Sequence, residues 1–232
     1  MKKLERKLSL SSVIAISIAG MLGSGIFVLP GIAAAKTGSS IWLAYLIAAI
    51  CILPAALSKS ELATAMPKSG GSYVYIERAL GPLFGTISGI GLWLSLLLKS
   101  SFALVGFGAY FLVLINISPI YIKYLSIGFL ILIMLLNIFG VKKVGKVQLI
   151  IVILSLLTLL SLLFIGIPVA DPSLNPFMTN GTMGLISTVA FVYISYAGVT
   201  KIAAIAGEVK NPSKNIPLAM LISLLVISRI YV

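Results

Sequence analysis

The stretch Gly20-Met21-Leu22-Gly23-Ser24-Gly25-Ile26-Phe27 carries the most chemical potential in this 232-residue chain. It stands in the middle of an apolar run, Val13 to Ala35, that is long enough to cross a bilayer. Each interior glycine costs a helix roughly 1 kcal/mol relative to alanine. A break here bares N–H and C=O groups at membrane depth, which is tolerated only where they line a cavity or are buried in protein. One reading is an unwound helix whose freed backbone groups hold a small polar solute. The other is close helix packing through small residues. A second small-residue cluster, Ser195-Tyr196-Ala197-Gly198 inside Phe191 to Thr200, favours the first.

Other chemistry is scarce. The chain has no histidine, which rules out a His-based triad or proton relay, and zinc chemistry with it. Its single cysteine, Cys51, lies inside an apolar run. No Ser/His pair, His/Glu metal set or phosphate-binding Gly-Lys-Ser/Thr run is present, so neither enzyme chemistry nor a metal or cofactor is implied.

The elements that must position these residues are membrane helices. Hydrophobic residues make up 60% of the chain and charged residues 9%, against about 25% charged in a soluble domain. The mean hydropathy is +1.18. The expected fold is an all-α polytopic membrane protein, a single transmembrane domain over 1–232. Its spans fall at 13–35, 41–66, 82–115, 121–140, 147–169, 185–206 and 216–232, with 67–81 as a cytoplasmic interfacial segment. Pro54 should kink the second span. The third exceeds the ~30 Å hydrocarbon core and should tilt or project. A signal-peptide reading of the N-terminus is disfavoured, because the first apolar stretch is longer than an h-region.

The net charge of +12 comes from lysines and arginines scattered in short loops. That pattern fits positive cytoplasmic loops rather than nucleic-acid binding. Lys2, Lys3, Arg6, Lys7, Lys59, Lys68, Arg78, Lys142, Lys143, Lys146, Lys210 and Lys214 fall on one side, Lys36 and Lys123 on the other. The N-terminus is therefore expected in the cytoplasm. Spans one and six then run in opposite directions, as an inverted repeat of five spans requires.

Four stretches carry a family resemblance. They are Gly23-Ser24-Gly25-Ile26-Phe27; Glu61-Leu62-Ala63 through Pro67-Lys68-Ser69-Gly70-Gly71-Ser72-Tyr73-Val74-Tyr75; Asn137-Ile138-Phe139-Gly140-Val141-Lys142 with Gln148; and Gly207-Glu208-Val209-Lys210-Asn211-Pro212 with Ile216-Pro217. Together they resemble the amino acid–polyamine–organocation (APC) transporters. The resemblance implies an amino acid permease of the plasma membrane with the LeuT-like inverted-repeat fold and discontinuous spans one and six. Members usually have about twelve spans. This chain looks like an N-terminal portion, either a fragment or a truncated product.

The resemblance also implies a site. The Ser24 and Gly25 amides and the Ser24 hydroxyl would hold the carboxylate of an amino acid at a helix N-terminus, with Gly23 and Ile26 beside them. Carbonyls of Met21, Leu22, Ile194 and Ala197 would hold its ammonium. Tyr196 would either gate the pocket or simply pack between helices, and Trp93, Ser95, Leu96 and Ser100 of span three would line it. Thr200 stands where some relatives carry an acidic residue, which favours neutral over cationic substrates. Transport would be proton-coupled or by exchange. The competing class is a membrane-embedded sensor or interaction protein, or an inactive truncated permease.

Lys99 lies deep in span three, and an intramembrane lysine is a functional candidate by default. Burial favours its neutral form and makes proton exchange feasible, so it is the candidate for coupling or substrate contact. The structural alternative is a lysine bonded to broken-helix carbonyls. If Lys99 couples protons, Lys99→Met removes the pH dependence of amino acid uptake into vesicles. Unchanged uptake and pH profile in that variant exclude the role.

Overall fold

The computed structural model describes residues 6–115, 118–138, 141–166, 178 and 180–232. Lys2, Lys3 and most of the loop expected at 170–184 lie outside the described residues, as does the Ser24 side chain. Apart from one isolated bridge between Leu8 and Val209, the regular structure among the described residues is helical. Helix is what an apolar chain must adopt where no water can take its backbone groups. Four stretches are long and apolar enough to cross a membrane: Leu29–Ala65, Pro82–Leu112, Gly181–Glu208 and Pro212–Tyr231.

The chain divides into two compact units, Met1–Leu94 with Ser173–Val232, and Ser95–Pro172. The second unit holds the end of α6 (Pro82–Ile115), α7 (Ile122–Ile138) and α8 (Val141–Gly166). Phe129 stacks edge-on to Phe107 at 4.4 Å, and Ser126 donates to the Leu104 carbonyl at 3.1 Å.

The first unit is built around α1 (Leu10–Met21), α4 (Ile41–Ala65), a long 3₁₀ helix (Tyr193–Glu208) and α10 (Pro212–Tyr231); α10 and the 3₁₀ helix pack on each other and on both α1 and α4. Two short helices, α2 (Ser24–Phe27) and α3 (Leu29–Thr37), continue the first span. α3 lies against α9 (Gly181–Val192).

Contacts along α1 fix its direction relative to the 3₁₀ helix. The Leu8 amide donates to the Glu208 carbonyl and the Lys210 amide to the Leu8 carbonyl, both at 2.9 Å. Gly20 meets Gly198, and Gly25 meets Ser195. The two helices are therefore antiparallel. α10 runs with α1, from Pro212 beside the Leu8–Val209 bridge to Tyr231 beside Met21.

Each end of the unit has its own set of loops. At the Leu8–Val209 end, the turn before α5 (Ser72–Leu80) docks on the 3₁₀ helix. There the Gly70 amide donates to the Ala204 carbonyl at 3.1 Å. At the other end, Asn180 donates to the Lys36 carbonyl, and Lys36 stands 4.8 Å over the Phe191 ring.

One expectation fails. Span six was expected to lose its winding at Ser195 to Gly198, but it winds without interruption. It tightens from α to 3₁₀ at Tyr193 and stays so to Glu208. A 3₁₀ run of this length is uncommon. Small residues at Ala197, Gly198, Ala203, Ala204, Ala206 and Gly207 limit the crowding of its eclipsed side chains.

A methyl group on Gly198 would fall on the Gly20 carbonyl and the Met21 amide. Gly198→Ala therefore lowers stability by roughly 1–3 kcal/mol, the ordinary cost of overpacking. Gly31→Ala, where nothing lies within 4 Å, is neutral by comparison. Thermal unfolding of the two variants in detergent checks the pair.

Candidate functional site

The first span opens where its glycines suggested. α1 runs to Met21, and the Leu22 amide makes its last bond, to the Ile18 carbonyl at 2.8 Å. Leu22 then turns to ψ 169°, and Gly23 takes φ +99°, a conformation that side chains resist. Winding restarts at once. The Gly23 carbonyl accepts from the Ile26 and Phe27 amides at 3.1 and 2.9 Å. The Ser24 and Gly25 amides thus stand in the first turn of a new helix, where no helix carbonyl can reach them. Gly23 is exposed, while Met21 and Leu22 are buried.

The freed carbonyls do not stay open. Tyr231 donates its hydroxyl to the Met21 carbonyl at 2.7 Å, and Tyr45 donates to the Gly25 carbonyl at 2.8 Å. Tyr196 in turn donates to the Tyr45 carbonyl at 3.1 Å. The three rings form one cluster, with centroids 4.9 to 6.4 Å apart. All are buried, Tyr196 completely. Unpaired carbonyls at this depth would each cost several kcal/mol, so the cluster is what makes the opened span tolerable.

This geometry places the expected site residues unevenly. Met21, Leu22, Gly23, Gly25 and Ile26 lie on the opened span. Ile194 and Ala197 lie on the 3₁₀ helix opposite, with Ser195 between them against Gly25. Of the carbonyls expected to receive an ammonium, that of Met21 already accepts from Tyr231. That of Ala197 accepts from the Thr200 hydroxyl at 2.9 Å. Each oxygen keeps a second lone pair. Tyr196, expected as a gate, is packed away from any opening with its hydroxyl engaged. Ser95, Leu96, Lys99 and Ser100 belong to the second unit, where the Ser100 hydroxyl bonds back to the Leu96 carbonyl at 2.9 Å.

Sequence reasoning missed three residues. Tyr45 and Tyr231 sit in apolar runs where a tyrosine ordinarily signals packing. Lys201 was passed over although it falls inside the sixth span, and its charge was the available signal. The 3₁₀ helix has two distinct faces. Ser195, Tyr196, Val199, Ile202 and Ala203 are buried, whereas Ile194, Ala197, Thr200, Lys201 and Ala204 are exposed or half-exposed.

Residues 8–232 match the family described as amino acid permease. A branched-chain amino acid permease of Bacillus subtilis is 30% identical over 250 residues, covering 100% of this chain and 54% of the relative. The methylthioribose transporter of the same organism is 28% identical, with 100% and 54% covered. Cationic amino acid transporter 5 of Arabidopsis thaliana is also 28% identical, with 99% and 43% covered. The chain spans about half the length of the curated relatives it matches. With nearly every residue aligned and four helices fit to cross a bilayer, this chain belongs to the amino acid permease family of integral, multi-pass membrane proteins.

Proposed function

We propose that this protein moves amino acids across the cell membrane by alternating access, as part of a LeuT-like inverted-repeat carrier. One observation carries the reading. The first span stops at Met21 and restarts at Ser24, directly against an antiparallel helix whose Ser195 touches Gly25. That arrangement sets first-turn amides, suited to a carboxylate, close to chain-end carbonyls, suited to an ammonium. A zwitterion is a ligand whose two charges match both.

The relatives are named for neutral as well as cationic amino acids, so the preference for neutral amino acids rests on this chain's own residues. Thr200 is uncharged, and no carboxylate lies deep in a span to hold a cationic side chain. The Leu8–Val209 end is read as cytoplasmic. Arg6, Lys7, Lys68 and Lys210 gather there, while the opposite end carries Lys36. Coupling is read as protonic, with Lys99 as the candidate, or as exchange.

Uptake of labelled leucine into proteoliposomes, with and without unlabelled leucine inside, tests the reading. Accumulation above protein-free vesicles is expected in at least one arm. Uptake equal to empty vesicles in both, across the pH range, would overturn it.

Tyr231 supplies a second test. Its hydroxyl takes one of the two lone pairs of the carbonyl at which a substrate ammonium would dock. Tyr231→Phe leaves that oxygen without its donor and lowers the stability of the ligand-free protein by about 1–3 kcal/mol. The same change frees the acceptor, so the thermal stabilisation by leucine grows. Thermal unfolding in detergent with and without leucine reads both effects, which have opposite signs.

A further inference from the structure

Lys201 lies on the 3₁₀ helix one turn beyond Gly198, toward the Leu8–Val209 end. Its stem does not run that way. A Cβ built on Gly20 would sit 3.1 Å from Lys201 Cδ, and Gly20 is level with Gly198. The side chain therefore leans back along its own helix, as helical side chains do, and away from the nearer end of the span. From Leu10 to Gly20 the helix rises about 15 Å, half of a ~30 Å hydrocarbon core. Lys201 Cδ therefore lies near mid-depth beside the closing turn of α1, with the ammonium two bonds beyond it.

A lysine at that depth cannot face lipid cheaply. Ala204 follows it on the same row of the 3₁₀ helix. The adjoining exposed row carries Ile194, Ala197 and Thr200, beside the Ser195 that meets Gly25 of the opened span. Among the described residues, no carboxylate pairs with Lys201. Its stem lies beside the place where the first span comes apart.

We propose that Lys201 is a specificity-determining residue, whose ammonium rejects amino acids with cationic side chains and admits neutral and anionic ones. The proposal rests on the transport reading above. A second positive charge brought to within about 6–8 Å of the ammonium, at the effective dielectric of a protein, loses roughly ten- to a hundredfold in binding. α1 adds to the selection by holding the lysine in place. Its C-terminal carbonyls carry the negative end of the helix dipole and favour a cation there.

The test uses the protein reconstituted in vesicles. Inhibition of labelled leucine uptake is measured with unlabelled arginine, glutamate and leucine, in wild type, Lys201→Met, Lys201→Gln and Lys201→Arg. Methionine keeps the stem against Gly20, and glutamine removes the charge in a polar form, so either variant reads the effect if the other fails to fold. The expected result is a fall of at least tenfold in the arginine concentration needed for half inhibition in Lys201→Met or Lys201→Gln. Inhibition by leucine itself should hold steady, and Lys201→Arg should keep the wild-type order. A lysine that only supports the fold would lower uptake in every variant and leave the order of inhibitors unchanged, which overturns the proposal alone. Wild-type protein that takes up no amino acid, and is not stabilised by any in detergent, overturns the transport reading and this inference with it.

Discussion

Two peptide backbones touch where α1 crosses the 3₁₀ helix, and the rest of the first unit depends on that contact. Gly20 and Gly198 leave no room for a methyl group between them. In a bilayer the hydrophobic effect does little to pull helices together, so close approach through small residues is a main source of attraction. The crossing also sets the depth of everything beyond it. Gly25 comes to rest against Ser195, and the Lys201 stem against Gly20. A side chain at Gly198 would push the opened end of α1 away from the 3₁₀ helix.

An opened helix inside a membrane has a second requirement, that its freed carbonyls find donors. Three tyrosines from three different helices meet it. Tyr231 reaches Met21, Tyr45 reaches Gly25, and Tyr196 ties Tyr45's own carbonyl into the same cluster. A tyrosine suits the task because its ring is apolar enough to be buried while its hydroxyl still donates. The cluster lies on one side of the break. On the other, Gly23 is exposed, and so is the face of the 3₁₀ helix that carries Ala197, Thr200 and Lys201.

The two spans solve the same problem differently. Span one carries Gly23 at φ +99° and comes apart there. Span six has a comparable cluster of small residues, and this misled the reading of its sequence as a matching gap. Gly198 does not take a left-handed conformation, and small residues also permit a tighter coil. The 3₁₀ helix keeps its backbone bonded while bringing a thin, small-residue face against α1. Small residues in a span thus signal close approach more dependably than they signal interruption. The interruption shows at the position where glycine alone can turn.

Much of this protein was legible in its residues. Long apolar runs with few charges demand membrane helices, because an unpaired backbone group in hydrocarbon is too costly for any other outcome. Gly23-Ser24-Gly25 marked where the first helix opens, since glycine is the residue that tolerates the needed turn. The spacing of basic loops paired the ends of the helices correctly within the first unit, with Leu8 beside Val209 and Lys36 beside Asn180. The partners of the opened backbone could not be read the same way. Tyr231 is 210 residues from the carbonyl it serves, and nothing local distinguishes it from a tyrosine that merely packs. Hydrogen-bond donors at membrane depth are assigned by which helices meet at which height. That is a property of the packed bundle, which no single span encodes.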